Sequence, residues 1–382
     1  MIKILTVIGA RPQIIKAAAI SRAVKKHFAD QIEEKILHTG QHYDANMSQV
    51  FFDELGIPQP DYNLGVGSGS HGIQTAKMIS GIEKVLTSEQ FDGIILYGDT
   101  NSTLAGAVAA SKIHIPVFHI EAGLRSFNMA MPEEINRIVC DQLSSILFPP
   151  TETGYQNLVR EGFINSKIKF KNGMGRKVVN SGDVMFDNSM YFASLAEEKT
   201  DVLKRLALTP NEFILTTIHR PYNTDSPERL TSIISALLDI TNGDGISLVI
   251  PLHPRTRNLL DKNLDQSIYE RLMTSTHVKL IPPASFFEII ALEKNARIVM
   301  TDSGGVQKEA FFFERPCVIL RPETEWVEIV NYGAGVIADA DYQRIVEGYN
   351  NFVNKEVSFP RLFGDANAAK HILDEIVDYL SE

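Results

Sequence analysis

Cysteine is scarce in this chain. Only Cys140 and Cys317 occur among 382 residues, far apart and each inside an apolar context. So few thiols leave no disulfide framework to read; they look like small core residues and fit a reducing cytoplasm. Long apolar runs are missing as well. The longest candidate targeting segment, Ile2 to Ala10, is cut short by Arg11 and Pro12, so neither a signal peptide nor a membrane span is expected. Positive charge is in deficit, with 37 Lys and Arg against 47 Asp and Glu and a formal charge of −10. That argues against a general nucleic-acid binder, because phosphate contacts along a polymer need a basic surface. A single nucleotide can still be held by a local pocket of Arg, Lys and backbone N–H groups. Low-complexity tracts and internal repeats are absent too. The turn after the first strand-like run, Ile8-Gly9-Ala10-Arg11-Pro12, carries no G-x-G-x-x-G, which argues against a dinucleotide and hence a dehydrogenase.

What is present is a 44% hydrophobic chain, too long for one ordinary core and suggestive of two domains. Strand-like runs alternate with helical ones: Lys3–Ile8, Pro12–His27, Glu34–His38, and onward to Phe148. Such alternation predicts βαβ units and a parallel sheet. Ile164 to Ser181, rich in Lys, Gly and Asn, breaks the pattern and reads as an exposed loop or linker. A second alternating series runs through Phe213–Ile218, Ser247–Leu252, Val278–Ile281, Ile298–Thr301 and Pro316–Leu320. The fold class expected is α/β, two Rossmann-like domains facing a cleft. The first spans 1–172 and the second 173–364, and Asp365 to Leu380 has a helical pattern.

The densest chemistry lies between Gly98 and Arg137. Gly-Asp-Thr-Asn-Ser-Thr (98–103), His-Ile-Glu-Ala-Gly-Leu-Arg (119–125) and Met-Pro-Glu-Glu-Ile-Asn-Arg (131–137) follow one another closely. The first two come just after the short apolar runs Gly93–Tyr97 and Pro116–Ile120, which read as buried strands. Ligands in an open parallel sheet bind beyond the carboxyl ends of strands, so Asp99 and Glu121 should face one crevice. Clustered, partly buried carboxylates are what proton abstraction requires. Arg125 and Arg137 lie four residues beyond Glu121 and Glu133, and could orient them. Pro132 reads as a first helical position, where acidic Glu133 and Glu134 also suit the helix start.

Three further sites look able to hold an anion. Arg11 and Lys16 flank the start of the first helix, where backbone N–H groups favour negative charge. His219 and Arg220 follow a strand, where the imidazole can donate to a leaving diphosphate oxygen and Arg220 adds charge. Asp302-Ser303-Gly304-Gly305 joins the strand Ile298–Thr301 to a helical run containing Glu309; its small residues let backbone N–H groups approach a phosphate. His38, His42, His119 and His253 make no metal set at recognised spacing, so neither a metal nor another cofactor is expected.

These motifs resemble those of the non-hydrolysing UDP-N-acetylglucosamine 2-epimerase family, with features of its UDP-2,3-diacetamido-2,3-dideoxyglucuronate 2-epimerase branch. Further matches are Ile-Gly-Ala-Arg-Pro-Gln-Ile-Ile-Lys (8–16), His-Thr-Gly-Gln-His (38–42), Ile-His-Arg (218–220) and Thr-Asp-Ser-Gly-Gly-Val-Gln-Lys-Glu (301–309). They run in the family's order from residue 8 to about 330. The resemblance implies a GT-B-like fold whose C-terminal helix, about 365–382, crosses back onto the first domain. It implies Asp99, Glu121, Glu133 and His219 as catalytic residues. It implies Arg11, Lys16, Arg137, Arg220, Ser303, Gly304, Gly305 and Glu309 as the groups binding a UDP-2-acetamido sugar, with Glu309 on the ribose hydroxyls. UDP would be eliminated to leave a 2-acetamidoglycal and then re-added on inversion of C2. A homodimer in the cytoplasm, making a precursor of bacterial surface polysaccharide, completes what is implied. A hydrolysing relative, a two-domain glycosyltransferase and a UDP-sugar sensor remain as alternatives.

Two stretches depart from the family pattern. Thr-Glu-Arg-Pro-Glu is replaced by Thr324-Glu325-Trp326-Val327-Glu328, and His-Arg-Arg-Glu by His219-Arg220-Pro221-Tyr222. The former, with Arg125-Ser126-Phe127-Asn128-Met129, resembles the diacetamido-uronate branch. Some family members are activated by substrate through Gln-His-x-Gln and that second Arg. Here the run is Gln41-His42-Tyr43-Asp44 and the Arg is Pro221, so hyperbolic kinetics are expected.

Overall fold

A computed structural model describes the chain except residues 42–57, 165–167, 171–174, 253 and 382. His42, Tyr43, Asp44 and His253 therefore lie outside the described residues. The chain divides into two compact units, Met1–Asn188 with Arg361–Glu382, and Ser189–Pro360.

Among the described residues the first unit holds seven strands: β1 (Ile2–Ile8), β2 (Ile32–His38), β3 (Tyr62–Asn63), β4 (Gly93–Tyr97), β5 (Val117–Ile120), β6 (Ile146–Phe148) and β7 (Lys177–Val178). They form one parallel sheet in the order β3-β2-β1-β4-β5-β6-β7. Every residue of β4, β5 and β6 is buried, as expected of parallel strands covered on both faces, and that is why they read as unbroken apolar runs. The strand order reverses between β1 and β4. The crevice for a ligand should open there, at the carboxyl ends. A G-x-G-x-x-G spacing does occur at Gly67–Gly72, but beside the edge strand β3 rather than after β1.

The expected domain boundary needs moving. Residues 175–188 belong to the first unit, not the second. Within the stretch read as a linker, Lys177 N–H donates to Ser145 O at 2.9 Å and Val179 N–H to Leu147 O at 2.9 Å, so β7 extends the first sheet. The chain passes from one unit to the other inside the helix Val184–Lys199. The C-terminal helix Ala368–Ser381 returns to the first unit and packs on the helix Arg11–His27. Its first N–H groups are satisfied by Asp187, which accepts from Ala368 at 3.0 Å and Ala369 at 2.8 Å.

The second unit contains β8 (Phe213–Thr217), β9 (Ser247–Pro251), β10 (Val278–Ile281), β11 (Ile298–Thr301), β12 (Cys317–Ile319) and β13 (Gly335–Ile337). Again all pair parallel, in the order β10-β9-β8-β11-β12-β13. The helix Pro227–Asp244 buries Leu230, Ile233, Ile234, Leu237 and Leu238 against this sheet. That spacing is one helical stripe, and each such side chain contributes about 1.5–3 kcal/mol on leaving water. Here the order reverses between β8 and β11. Both cysteines are buried free thiols, and no described helix is long and apolar enough to cross a membrane.

Candidate active site

In the first unit the turns after β4 and β5 build a cluster of acids and cations. Gly98, directly after β4, has φ of +60°, a conformation a side chain would strain. A Cβ there would also lie 3.3 Å from Lys16 Nζ and 3.4 Å from Glu121 Oε2, so this turn abuts both groups. Glu121 itself has φ of +69°. A non-glycine residue in that region costs about 1–2 kcal/mol and persists only where its surroundings enforce it. The enforcement is visible: Glu121 and Ala122 N–H both donate to Phe148 O, at 3.1 and 3.2 Å, and the Glu121 carboxylate is ion-paired with Lys16. Both side chains of that pair are largely buried, at 14% and 13% exposure.

Asp99 is fixed from the helix Pro132–Leu143. Arg137 pairs with its carboxylate, and Asn136 Nδ2 donates to its backbone oxygen at 2.9 Å. Arg137 also reaches Glu134, at 2.5 Å. Glu134 is 1% exposed and accepts the N–H groups of Ser126 and Phe127, each at 3.0 Å. Burial opposes its charge, but those two N–H groups and Arg137 outweigh it and hold the carboxyl below its usual range. Glu134 is thus the clamp of the loop that follows β5, and its acidity is used up there.

The structure therefore brings Asp99, Glu121, Lys16 and Arg137 together. It does not tie Glu133 into the cluster: that side chain is exposed on the first turn of its helix, with no hydrogen-bond partner among the described residues. Arg11 is exposed at the first turn of the helix after β1. No pattern in the sequence marks His119 for a role, since its spacing from the other histidines fits no metal set. His119 is fully buried on β5, with Nδ1 2.7 Å from Asp141 Oδ1 and Nε2 2.7 Å from Gly98 O. Arg125, expected to orient Glu121, instead pairs with Asp141 at 2.7 Å and Glu161 at 2.8 Å. The signal available was the spacing of Glu134, Arg137 and Asp141, which puts all three on one helix face.

In the second unit the turns after β8 and β11 are joined by Asp302. Its buried carboxylate accepts from His219 N–H at 3.0 Å, Arg220 N–H at 3.0 Å and Asn223 Nδ2 at 3.1 Å, and lies 2.9 Å from His219 Nδ1. Burial would raise its pKa, but His219 and the N–H of Arg220 outweigh that and lower it. The His219 side chain is itself half exposed. Ser303 caps the helix Gly304–Phe312, its hydroxyl accepting from Val306 N–H at 3.4 Å. Gly304 is crowded: a Cβ there would lie 3.3 Å from Glu325 Oε2 and 3.5 Å from Arg321 Nη1. Trp326 Nε1 donates to Gly304 O at 2.9 Å, and Lys308 Nζ sits 4.2 Å from the indole centroid. The divergent Trp326 thus braces the glycine turn. Arg321 grips Glu325 through two 2.9 Å bonds, and no sequence motif points to either Arg321 or Trp326 as a binding group. Gly305 is exposed on the first helical turn, and Glu309 is half-buried further along. Burial pushes up the carboxyls of both Glu309 and its fully buried neighbour Glu293.

Chemically, the first cluster can move protons, since carboxylates are held beside fixed cations. The second offers a helix N-terminus with Ser303, Gly304, Gly305 and nearby His219 and Arg220, a setting suited to phosphate. The sequence model of the UDP-N-acetylglucosamine 2-epimerase family matches residues 24–377. The chain is 48% identical over 373 residues to the UDP-2,3-diacetamido-2,3-dideoxy-D-glucuronate 2-epimerase of Pseudomonas aeruginosa, covering 97% of this chain and 98% of that one. The solved UDP-GlcNAc 2-epimerase of Methanocaldococcus jannaschii superposes with a TM-score of 0.85 at 37% identity, over 99% of this chain and 100% of that one. The Neisseria meningitidis UDP-GlcNAc 2-epimerase, solved bound to UDP-GlcNAc, gives 0.82 at 29% identity over 99% and 100%. The chain belongs to the UDP-N-acetylglucosamine 2-epimerase family.

Proposed function

We propose that this protein inverts C2 of a UDP-2-acetamido sugar, interconverting UDP-N-acetylglucosamine and UDP-N-acetylmannosamine. The C2 hydrogen adjoins no carbonyl, so direct deprotonation and reprotonation is hard. Elimination avoids the difficulty. A carboxylate takes the C2 proton, the C1–C2 double bond forms, and the C1–O bond breaks with its electron pair leaving on the diphosphate. Re-addition of UDP to the glycal, with a proton delivered to the opposite face of C2, gives the epimer. Asp99, Glu121 and Glu133 carry the proton transfers, while Lys16, Arg11 and Arg137 hold the substrate. His219 and Arg220 meet the departing diphosphate, Ser303, Gly304 and Gly305 supply donors to it, and Glu309 accepts from the ribose hydroxyls. The observation that carries this reading is the pairing of Glu121 with Lys16 and of Asp99 with Arg137 at adjacent strand ends.

The diacetamido-uronate is a second reading, favoured by the Pseudomonas relative and by Trp326, which stands on the glycine turn where the commoner family pattern has arginine. Paired rates on the two UDP sugars decide between them. Turnover in heavy water tests the mechanism: the product carries deuterium at C2, and retention of the original hydrogen would exclude elimination. Free sugar plus UDP would mean hydrolysis, and turnover only with an acceptor would mean glycosyl transfer. We place the enzyme in the cytoplasm as a homodimer supplying precursors of surface polysaccharide; the two buried free thiols support a reducing compartment.

A further inference from the structure

His119 has acceptors on both sides. Nδ1 faces a carboxylate oxygen of Asp141 and Nε2 faces the carbonyl oxygen of Gly98, each at 2.7 Å. A carbonyl cannot donate. The other oxygen of Asp141 already accepts from Gly123 N–H at 3.2 Å and from Arg125 at 2.7 Å, which keeps that carboxylate ionised. A neutral imidazole would therefore press a lone pair against an acceptor, whereas an imidazolium donates on both sides. The charges around it also balance: His119, Asp141, Arg125 and Glu161 alternate in sign along one chain of ion pairs. The groups facing the ring are Asp141 and Cys140 from the helix Pro132–Leu143, with Arg125 behind Asp141. Burial opposes the charge, but Cys140 and Asp141 outweigh it and push the ring up to about 10.

The Gly98 carbonyl it grips belongs to the peptide that leads into Asp99, and a Cβ built on Gly98 would meet both Lys16 Nζ and Glu121 Oε2, at 3.3 and 3.4 Å. Two residues after His119 on the same chain comes Glu121. We propose that His119, as a doubly donating imidazolium, is a positioning residue that sets the Asp99 turn against the Glu121 turn and so fixes the spacing of the two proton-transfer carboxylates. The proposal rests on the epimerase reading above.

Two measurements test it. Nitrogen-15 NMR of histidine-labelled wild-type protein reads the charge state without any variant: both ring nitrogens of His119 should stay protonated from pH 6 to pH 8. A ring with one unprotonated nitrogen would overturn the proposal. His119→Gln should lower kcat roughly a hundredfold, the scale expected when a reacting group is displaced by about 1 Å, while UDP affinity by calorimetry stays within about twofold. A misplaced carboxylate makes C2–H cleavage limiting, so the kinetic isotope effect with C2-deuterated substrate should rise in the variant. Loss of active molecules through poorer folding would lower kcat with an unchanged isotope effect, and that result, like a wild-type kcat, would overturn the positioning role. A wild-type enzyme inactive on both UDP sugars would overturn the epimerase reading and with it the positioning claim, leaving the ring's charge state to be judged separately by NMR.

Discussion

At the switch point of the first unit, between β1 and β4, each cluster carboxylate has a cationic partner: Glu121 has Lys16 and Asp99 has Arg137. At the corresponding place in the second, between β8 and β11, the central carboxylate is Asp302, and its partners are backbone N–H groups, an amide and an imidazole. The sheet order is the same in kind, yet the acids do different work. Asp302 is saturated by donors from its own unit and shapes a turn. Asp99, with 31% of its side chain exposed, keeps capacity to meet a substrate. The same contrast appears within one helix turn, where Glu134 is consumed by loop N–H groups and Glu133 is left exposed. Carboxylates with their acceptor capacity filled hold structure, and those with capacity to spare are available for chemistry.

The sharpest test of that contrast is to remove basicity without changing shape. Asp99→Asn, Glu121→Gln and Glu133→Gln should each lower turnover by roughly a hundredfold or more, with UDP affinity by calorimetry little changed. Normal rates in all three would end the assignment of acid–base work to the first unit. The complementary changes lie in the second unit. Glu309→Ala and Ser303→Ala should weaken UDP binding by about 1–3 kcal/mol where a buried partner is left unsatisfied, with a smaller effect on kcat. Unchanged UDP affinity in both variants would move the nucleotide site elsewhere.

Titration separates the units further. Burial raises the Glu309 carboxyl, with Lys308 opposing, and a ribose hydroxyl needs the ionised form as acceptor. UDP affinity should therefore climb as pH rises through the raised Glu309 pKa and fall as pH drops below it, and Glu309→Gln should flatten that slope. In the first unit the sign reverses. His119 is raised from 6.5 to about 10, so its contribution to stability is complete below 6.5, declines above it, and is gone past about 10. The gap in melting temperature between wild type and His119→Gln should narrow over that window; a constant gap would contradict the folded imidazolium. The smallest effect expected is none: initial rates should follow a hyperbola in substrate, and the reverse reaction should need no added UDP sugar. Sigmoidal kinetics would show that Pro221 in place of arginine does not abolish activation.

Sequence alone carried most of the fold, because its signals are local. Gly93–Tyr97, Val278–Ile281 and Ile298–Thr301 read as strands at the bounds they have, since short apolar runs between turn residues have few other ways to be buried. Asp99, Glu121, His219 and Ser303 were legible as strand-end residues for the same reason. Pairings across the chain were not legible. That β7 joins the first sheet depends on Ser145 and Leu147, some thirty residues away, and moves the boundary to Asn188. Which of two adjacent glutamates is clamped depends on where the Ser126–Phe127 N–H groups arrive. The charge of His119 depends on an aspartate one helix away and a carbonyl one strand away. Periodicity determines which face of an element is buried; the three-dimensional packing decides which polar groups meet there, and their meeting sets charge, strain and reactivity.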